Sequence, residues 1–171
     1  MKRDNKGFSL IEMVVVLAIM LVMTGAIMMS VSSLYSQQVK RATRTIDSLL
    51  TDTKTLTMAK TSSYFSLRKD GDYYYAETTD GTKKQLSNNK TLTVKYKLKS
   101  GTSYIDVATT PVAISYQKSS GAFDKAGSVN VDGSVNLRSV DDYVEMFIIS
   151  CGNREMKIKL YPKTGKHEVI K

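Results

Sequence analysis

Apolar and polar positions divide the chain into three regimes. Residues 13–31, MVVVLAIMLVMTGAIMMSV, are apolar at 16 of 19 positions, broken only by Thr24, Gly25 and Ser30. No charge falls between Glu12 and Lys40. A run apolar on every side and close to 20 residues long predicts a membrane-crossing helix. Five of the nine methionines (Met13, Met20, Met23, Met28 and Met29) lie in it, suiting a surface that packs against several neighbours. Residues 30–62 contain neither Pro nor Gly, and Ala42, Ile46, Leu49, Thr53 and Leu56 recur at steps of three and four. Val31, Leu34, Tyr35 and Val39 extend that series upstream, while Lys40, Arg41, Arg44, Asp47, Asp52, Lys54 and Lys60 fill the intervals. This spacing predicts that the helix continues in amphipathic form to about Ser62.

From Tyr64 onward the period becomes two. Residues 64–68, 73–78, 92–99, 104–108, 112–117, 144–151 and 155–161 read as strands. Turn signals separate them: Asp70-Gly71, Asp80-Gly81, Ser100-Gly101, Asp132-Gly133, Gly152-Asn153 and Thr164-Gly165. Short connections imply an antiparallel sheet with one face on the helix. Leu92, Val94, Tyr96 and Leu98 alternate with Thr93, Lys95, Lys97 and Lys99, and Met156, Ile158 and Leu160 with Lys157 and Lys159. The most apolar candidate, residues 144–149, is expected at the centre. The predicted fold class is α+β, a long N-terminal helix with an antiparallel β-sheet head.

Composition narrows the chemistry. The 171 residues include one Cys, Cys151, and one His, His167, which excludes an intramolecular disulfide and a Cys-cluster metal site. Cys151 ends an apolar strand and reads as a buried structural thiol. His167 has no neighbouring Cys or second His and reads as a surface residue of a terminal strand. Asp141, Asp142 and Glu145 precede a strand without a dense oxygen-ligand loop. No phosphate-binding glycine loop or nucleophile elbow occurs, so neither an enzyme nor a cofactor is expected.

The residues before the apolar run decide what kind of span it is. MKRDNKG at 1–7 carries Lys2, Arg3 and Lys6 against Asp4, and a basic flank stays cytoplasmic. A secretory signal would have a shorter apolar region and a small-residue cleavage site. A plain signal anchor would leave Glu12 unexplained, a carboxylate on the apolar segment where charge is costly.

Gly7-Phe8-Ser9-Leu10-Ile11-Glu12, between a short basic leader and the apolar run, resembles the prepilin cleavage and methylation motif. That motif marks type IV pilins and the pseudopilins of type II secretion and competence systems. The resemblance implies cleavage between Gly7 and Phe8 by a membrane aspartic peptidase, the prepilin peptidase/methyltransferase, with N-methylation of Phe8. Glu12 becomes the fifth mature residue. Four segments are then expected: a leader at 1–7, a transmembrane and filament-core helix at 8–31, its amphipathic continuation at 32–62, and the β-sheet head at 63–171. Expected partners are the membrane, the peptidase, other pilin subunits and the pilus assembly platform. The precursor would be a single-pass membrane protein with a cytoplasmic N-terminus, later part of an extracellular filament.

The assembly role implied for Phe8 and Glu12 has a direct physical sense. Cleavage leaves a cationic amine at the tip of an apolar helix, and burying it unpaired is costly. Glu12 of an adjacent subunit would neutralise it and fix the axial register. A carboxylate near a helix start also favours the helix dipole without any partner, which is the plainer role for Glu12.

A second resemblance covers residues 112–116, Gly121, Phe123, residues 144–150 and the ending around Gly165, which is similar to H-type minor pseudopilins and their pilus counterparts. It favours a minor pilin. Many family members close a C-terminal loop with a disulfide and carry Pro where Met29 stands; here only Gly25 weakens the helix.

Charge is concentrated after the uncharged gap. Residues 40–171 hold 22 basic and 14 acidic residues, a net charge of +8. Lys95, Lys97, Lys99, Lys157 and Lys159, with Tyr73, Tyr74, Tyr75, Tyr96 and Tyr161, would contact DNA or an anionic surface polymer. Alternatively these lysines are solvated faces that protect strand edges. The function classes open at this level are a pilus subunit, a pseudopilin of secretion or DNA uptake, and a membrane-tethered binding or sensor domain.

Overall fold

The computed structural model describes residues 9–59 and 62–170; the side chains of 26–30 lie outside the described set. Gly7, Phe8 and the leader fall outside it too. The chain forms two compact units divided between Leu34 and Tyr35.

Helix α1 runs Leu10–Ala59, fifty residues without a proline. In the first unit its described side chains from Leu10 to Gly25 are all exposed, including Leu10, Ile11, Met13, Leu17, Leu21 and Val22. Among the described residues no helix is long and apolar enough to cross a membrane. The run at 13–31 includes 26–30, whose side chains are not described.

In the second unit the amphipathic stripe of α1 is buried. Val39, Ala42, Thr43, Ile46, Leu49, Leu50, Thr53 and Thr57 are each 3% exposed or less. Leu56 departs from the sequence expectation: it is 53% exposed, and Thr57 takes the inward position. Steps of three and four both stay near one face of a helix, and here packing takes the fourth residue on from Thr53 inward rather than the third. The Thr57 hydroxyl accepts from the Ser63 backbone N–H at 3.2 Å, tying the helix end to the chain leaving it.

Among the described residues eleven strands follow: β1 Tyr64–Asp70, β2 Tyr73–Thr78, β3 Lys83–Gln85, β4 Leu92–Leu98, β5 Tyr104–Asp106, β6 Val112–Ser115, β7 Gly127–Val129, β8 Val135–Asn136, β9 Val144–Cys151, β10 Arg154–Tyr161 and β11 Lys166–Ile170. They form two antiparallel sheets rather than one meander. The first has the order β3-β2-β1-β6-β7-β8 and the second β11-β10-β9-β4-β5. β9 lies in the middle of the second sheet. The division follows from two long-range pairings: β1 takes β6, and β4 takes β9.

One core joins helix and sheets. Ile46, Leu49 and Leu50 of α1 share it with Phe65, Leu67 and Ile114 of the first sheet and with Val94, Phe147, Ile149 and Ile158 of the second. Burying side chains of this size stabilises by roughly 1.5–3 kcal/mol each. Two glycines allow close approaches. Gly152, at φ 57°, leaves room for the Tyr35 ring, which a Cβ would meet at 2.5 Å. Gly165, at φ 60°, lies against the Gly121 carbonyl, and a Cβ there would overlap that oxygen. Lys54 Nζ donates to the Thr164 and Gly165 carbonyls at 3.2 and 3.1 Å, pinning the β10–β11 turn to α1.

Candidate functional site

The N-terminus of α1 carries the acid singled out by the sequence. The Glu12 N–H donates to Ser9 Oγ at 3.3 Å, and the Ser9 N–H donates to Glu12 Oε2 at 2.9 Å. This reciprocal pair is a capping box, which satisfies two of the backbone donors a helix start leaves open. Sequence reading assigns Ser9 no role, although the S-x-x-E spacing is the signature of such a box. Glu12 also borders a shallow, largely apolar recess of ≈ 320 Å³ with Ile11, Val15 and Val16. The carboxylate therefore caps its own helix and lies beside apolar surface. Phe8 and Gly7, its expected partners in processing and assembly, lie outside the described residues.

Four of the five lysines expected to face an anionic partner share one face of the second sheet. Lys95 and Lys157 flank Ile148 in one register row, and Lys97 and Lys159 flank Met146 in the next. Ile148 is buried between its two lysines, and lysine stems are suited to line apolar positions on a sheet face. Carboxylates share the same surface. Lys97 pairs with Glu145 at 3.5 Å, and Glu145 stands where the β4–β9 register shifts between Lys97 and Leu98. Lys157 pairs with Glu155 at 3.1 Å. Lys159 lies 5.3 Å from the Tyr161 ring centroid, and the Tyr161 hydroxyl donates to Glu168. Lys99 follows β4, where its N–H donates to the Tyr143 carbonyl. Lys97, Lys157 and Lys159 are thus brought together with a carboxylate or an aromatic ring beside each.

Of the expected tyrosines, Tyr74 and Tyr96 are buried, and burial beside Asp106 pushes the Tyr74 hydroxyl up to about 12. Neither offers a ring to an outside partner. Tyr75 lies under Lys83, whose Nζ is 4.5 Å from the ring centroid.

The remaining chemical candidates are each engaged in the fold. Cys151 is buried, with its Sγ 3.2 Å from the Thr91 hydroxyl. Asp141 pairs with Lys125, while Asp142 accepts from the Ser100 N–H and the Tyr143 N–H. Desolvation pushes the Asp142 carboxyl up, but these bonds together with the Lys99 charge outweigh it and hold the group below its ordinary range. His167 corrects its surface assignment. It is half-buried on β11 with Nε2 3.3 Å from Asp47 Oδ1 and 3.4 Å from the Thr51 hydroxyl, both on α1. Burial pushes its pKa down, Asp47 opposes that, and Lys54 adds to it. Its Nδ1 is buried without a hydrogen-bond partner among the described residues. Among those residues no group of three or more His, Cys, Asp or Glu is placed to hold a metal ion.

Comparison with known proteins returns one finding. Residues 2–28 match the family model described as the prokaryotic N-terminal methylation motif. No curated protein and no solved structure matches the chain. The motif implies processing by a prepilin peptidase and assembly with other pilins, from a membrane-anchored precursor to a surface filament. Its family is structural rather than enzymatic. The matched segment includes Gly7, Phe8, Ser9 and Glu12 and leads into a long helix packed on antiparallel sheets, so the chain carries the N-terminal methylation motif that serves as the prepilin signal of type IV pilins and pseudopilins.

Proposed function

We propose that the chain is a minor pilin, a structural subunit of a type IV pilus. The observation that carries the reading is the methylation motif joined to a helix whose apolar side chains, from Leu10 to Met23, are exposed on every side. An isolated helix of that kind needs lipid or other helices around it. In this reading residues 1–7 are removed, Phe8 is methylated, and residues 8–31 cross the membrane once. Residues 32–62 support the head at 63–171. Glu12 of one subunit neutralises the Phe8 amine of the next, exchanging or sharing its Ser9 contact as it docks. The capping box keeps that carboxylate ordered before a partner arrives.

The preference for a minor pilin comes from the C-terminal likeness. A pseudopilin of secretion or DNA uptake would use the same filament chemistry. Imaging surface filaments with an antibody to the head tests the proposal: sparse or tip labelling is expected, and labelling along the whole shaft would make the chain a major subunit. Absence of the chain from any filament would refute the assembly role. Glu12→Ala is expected to leave the precursor in the membrane and to reduce its incorporation at least tenfold. Normal incorporation of that variant would remove Glu12 from the mechanism.

A further inference from the structure

Basic residues are treated unequally across the head. Arg68 pairs with Glu77, Lys83 with Asp70, Lys90 with Asp72 and Arg138 with Asp124, at 2.5–2.9 Å. Lys40, Arg41 and Arg44 of α1 and Lys84 of β3 differ. All four are exposed, and together with Ser48 they line one open recess of ≈ 470 Å³. None of the four has an ion pair among the described residues, and no carboxylate lines the recess.

The acids nearest in sequence do not line the recess, and Asp52 reaches only its Ser48 edge. Asp52 accepts from Ser48 Oγ at 3.2 Å, and Asp47 faces His167. Lys83, the neighbour of Lys84, reaches Asp70 at 2.6 Å. Lys40 and Arg44 stand at i and i+4 and Arg41 and Arg44 at i and i+3, spacings at which like charges destabilise a helix. Lys84 arrives from another element and adds a fourth positive charge. An anion in the recess would relieve this repulsion, and the two guanidinium groups suit the paired oxygens of a phosphate.

Position in the chain favours one source of phosphate. Lys40, Arg41 and Arg44 are the first three charges after uncharged residues 13–39. In helical form the proposed span at 8–31 is about 36 Å long, enough to cross the hydrocarbon core, and Lys40 follows it within about three helical turns. Cations there reach the headgroup level on the far side of the membrane, where each contributes to holding an anionic surface. We propose that the recess binds the phosphate of an anionic phospholipid headgroup and holds the head of the precursor on the outer membrane surface before assembly. This rests on reading the apolar run as a membrane span.

The test uses the full chain reconstituted in vesicles of phosphatidylcholine and phosphatidylglycerol in equal amounts. Alkaline extraction first reports whether the chain is inserted. Native mass spectrometry after detergent release then gives the ratio of phosphatidylglycerol to phosphatidylcholine adducts. The expected ratio is about ten for the wild type and near one for Arg41→Gln/Arg44→Gln/Lys84→Gln. Lys95→Gln/Lys157→Gln should keep the wild-type ratio. The substituted side chains are exposed, and unchanged melting of each variant would show that its fold is intact. A wild-type ratio near one, in a chain that resists extraction, would overturn the proposal and leave the membrane reading standing. Loss of the chain on extraction would overturn both. Displacement of phosphatidylglycerol by duplex DNA at lower concentration would make the recess a polymer site and overturn the lipid assignment.

Discussion

Leu17 and Leu50 lie on the same helix in contrasting surroundings. Leu17 is 60% exposed, and Leu50 is completely buried. Around Leu17 every position is apolar, so no single face is selected and the whole circumference needs a non-aqueous neighbour. Around Leu50 charged residues alternate with apolar ones at helical spacing, and one stripe is covered by the chain's own sheets. Hydrophobicity is greater in the first region, yet among the described side chains burial within the chain occurs only in the second. Periodicity, not apolar content, decides whether a helix is completed by its own chain or by something outside it.

That contrast is open to direct attack, because all ten tyrosines lie at or after Tyr35 and their near-ultraviolet circular dichroism reports on the head alone. Leu50→Ala should destabilise the tyrosine transition by about 3 kcal/mol, within the usual range for a buried Leu, whereas Leu17→Ala should leave it unmoved. Equal effects would abolish the distinction. The glycines sharpen it further. Gly165→Ala should cost the head about 2–3 kcal/mol, since it combines positive φ with a collision at Gly121. Gly25, with nothing within 4 Å of an added Cβ, should gain helix by about 1 kcal/mol on change to Ala, seen as raised far-ultraviolet helicity in micelles.

Smaller effects probe how each region is finished. Lys54→Met should cost about 1–2 kcal/mol in urea unfolding, as two turn carbonyls lose their donor. Ser9→Ala should cost about 1 kcal/mol at the start of the helix, read as faster amide exchange over residues 9–13 with the tyrosine melt unchanged.

The smallest effect is a pH slope at His167. Its pKa is lower in the fold than in the unfolded chain, where the ordinary value is 6.5. Between the two values the unfolded chain binds the extra proton, so stability rises with pH there. The contribution is complete above about pH 6.5 and is lost as pH falls through the native value. His167→Gln should flatten urea midpoints over that window, and an unchanged slope would place the titration elsewhere.

Much of this was legible from the residues themselves. The stripe on α1 and the strands β2 and β9 follow from period and apolar content. β3, β7 and β8 escape because Lys83–Gln85, Gly127–Val129 and Val135–Asn136 are short and largely without apolar alternation. The separation into two sheets depends on β1 finding β6 and β4 finding β9, and no local signal specifies which distant strand completes an edge. Leu56 was misplaced because steps of three and four both look helical, and only packing chooses between Leu56 and Thr57. At the candidate site, Glu12 was visible as a charge against an apolar background. The approach of Lys84 to Lys40, Arg41 and Arg44 was not, because it is set by where β3 joins its sheet.

The central claim is that this chain is processed as a prepilin and works through its trimmed helix. Mass analysis of the N-terminal peptide after co-expression with a prepilin peptidase tests it most directly. The account predicts a chain beginning at Phe8 and carrying one methyl group on its amine. A chain that keeps residues 1–7, or is cut at another bond, would contradict it.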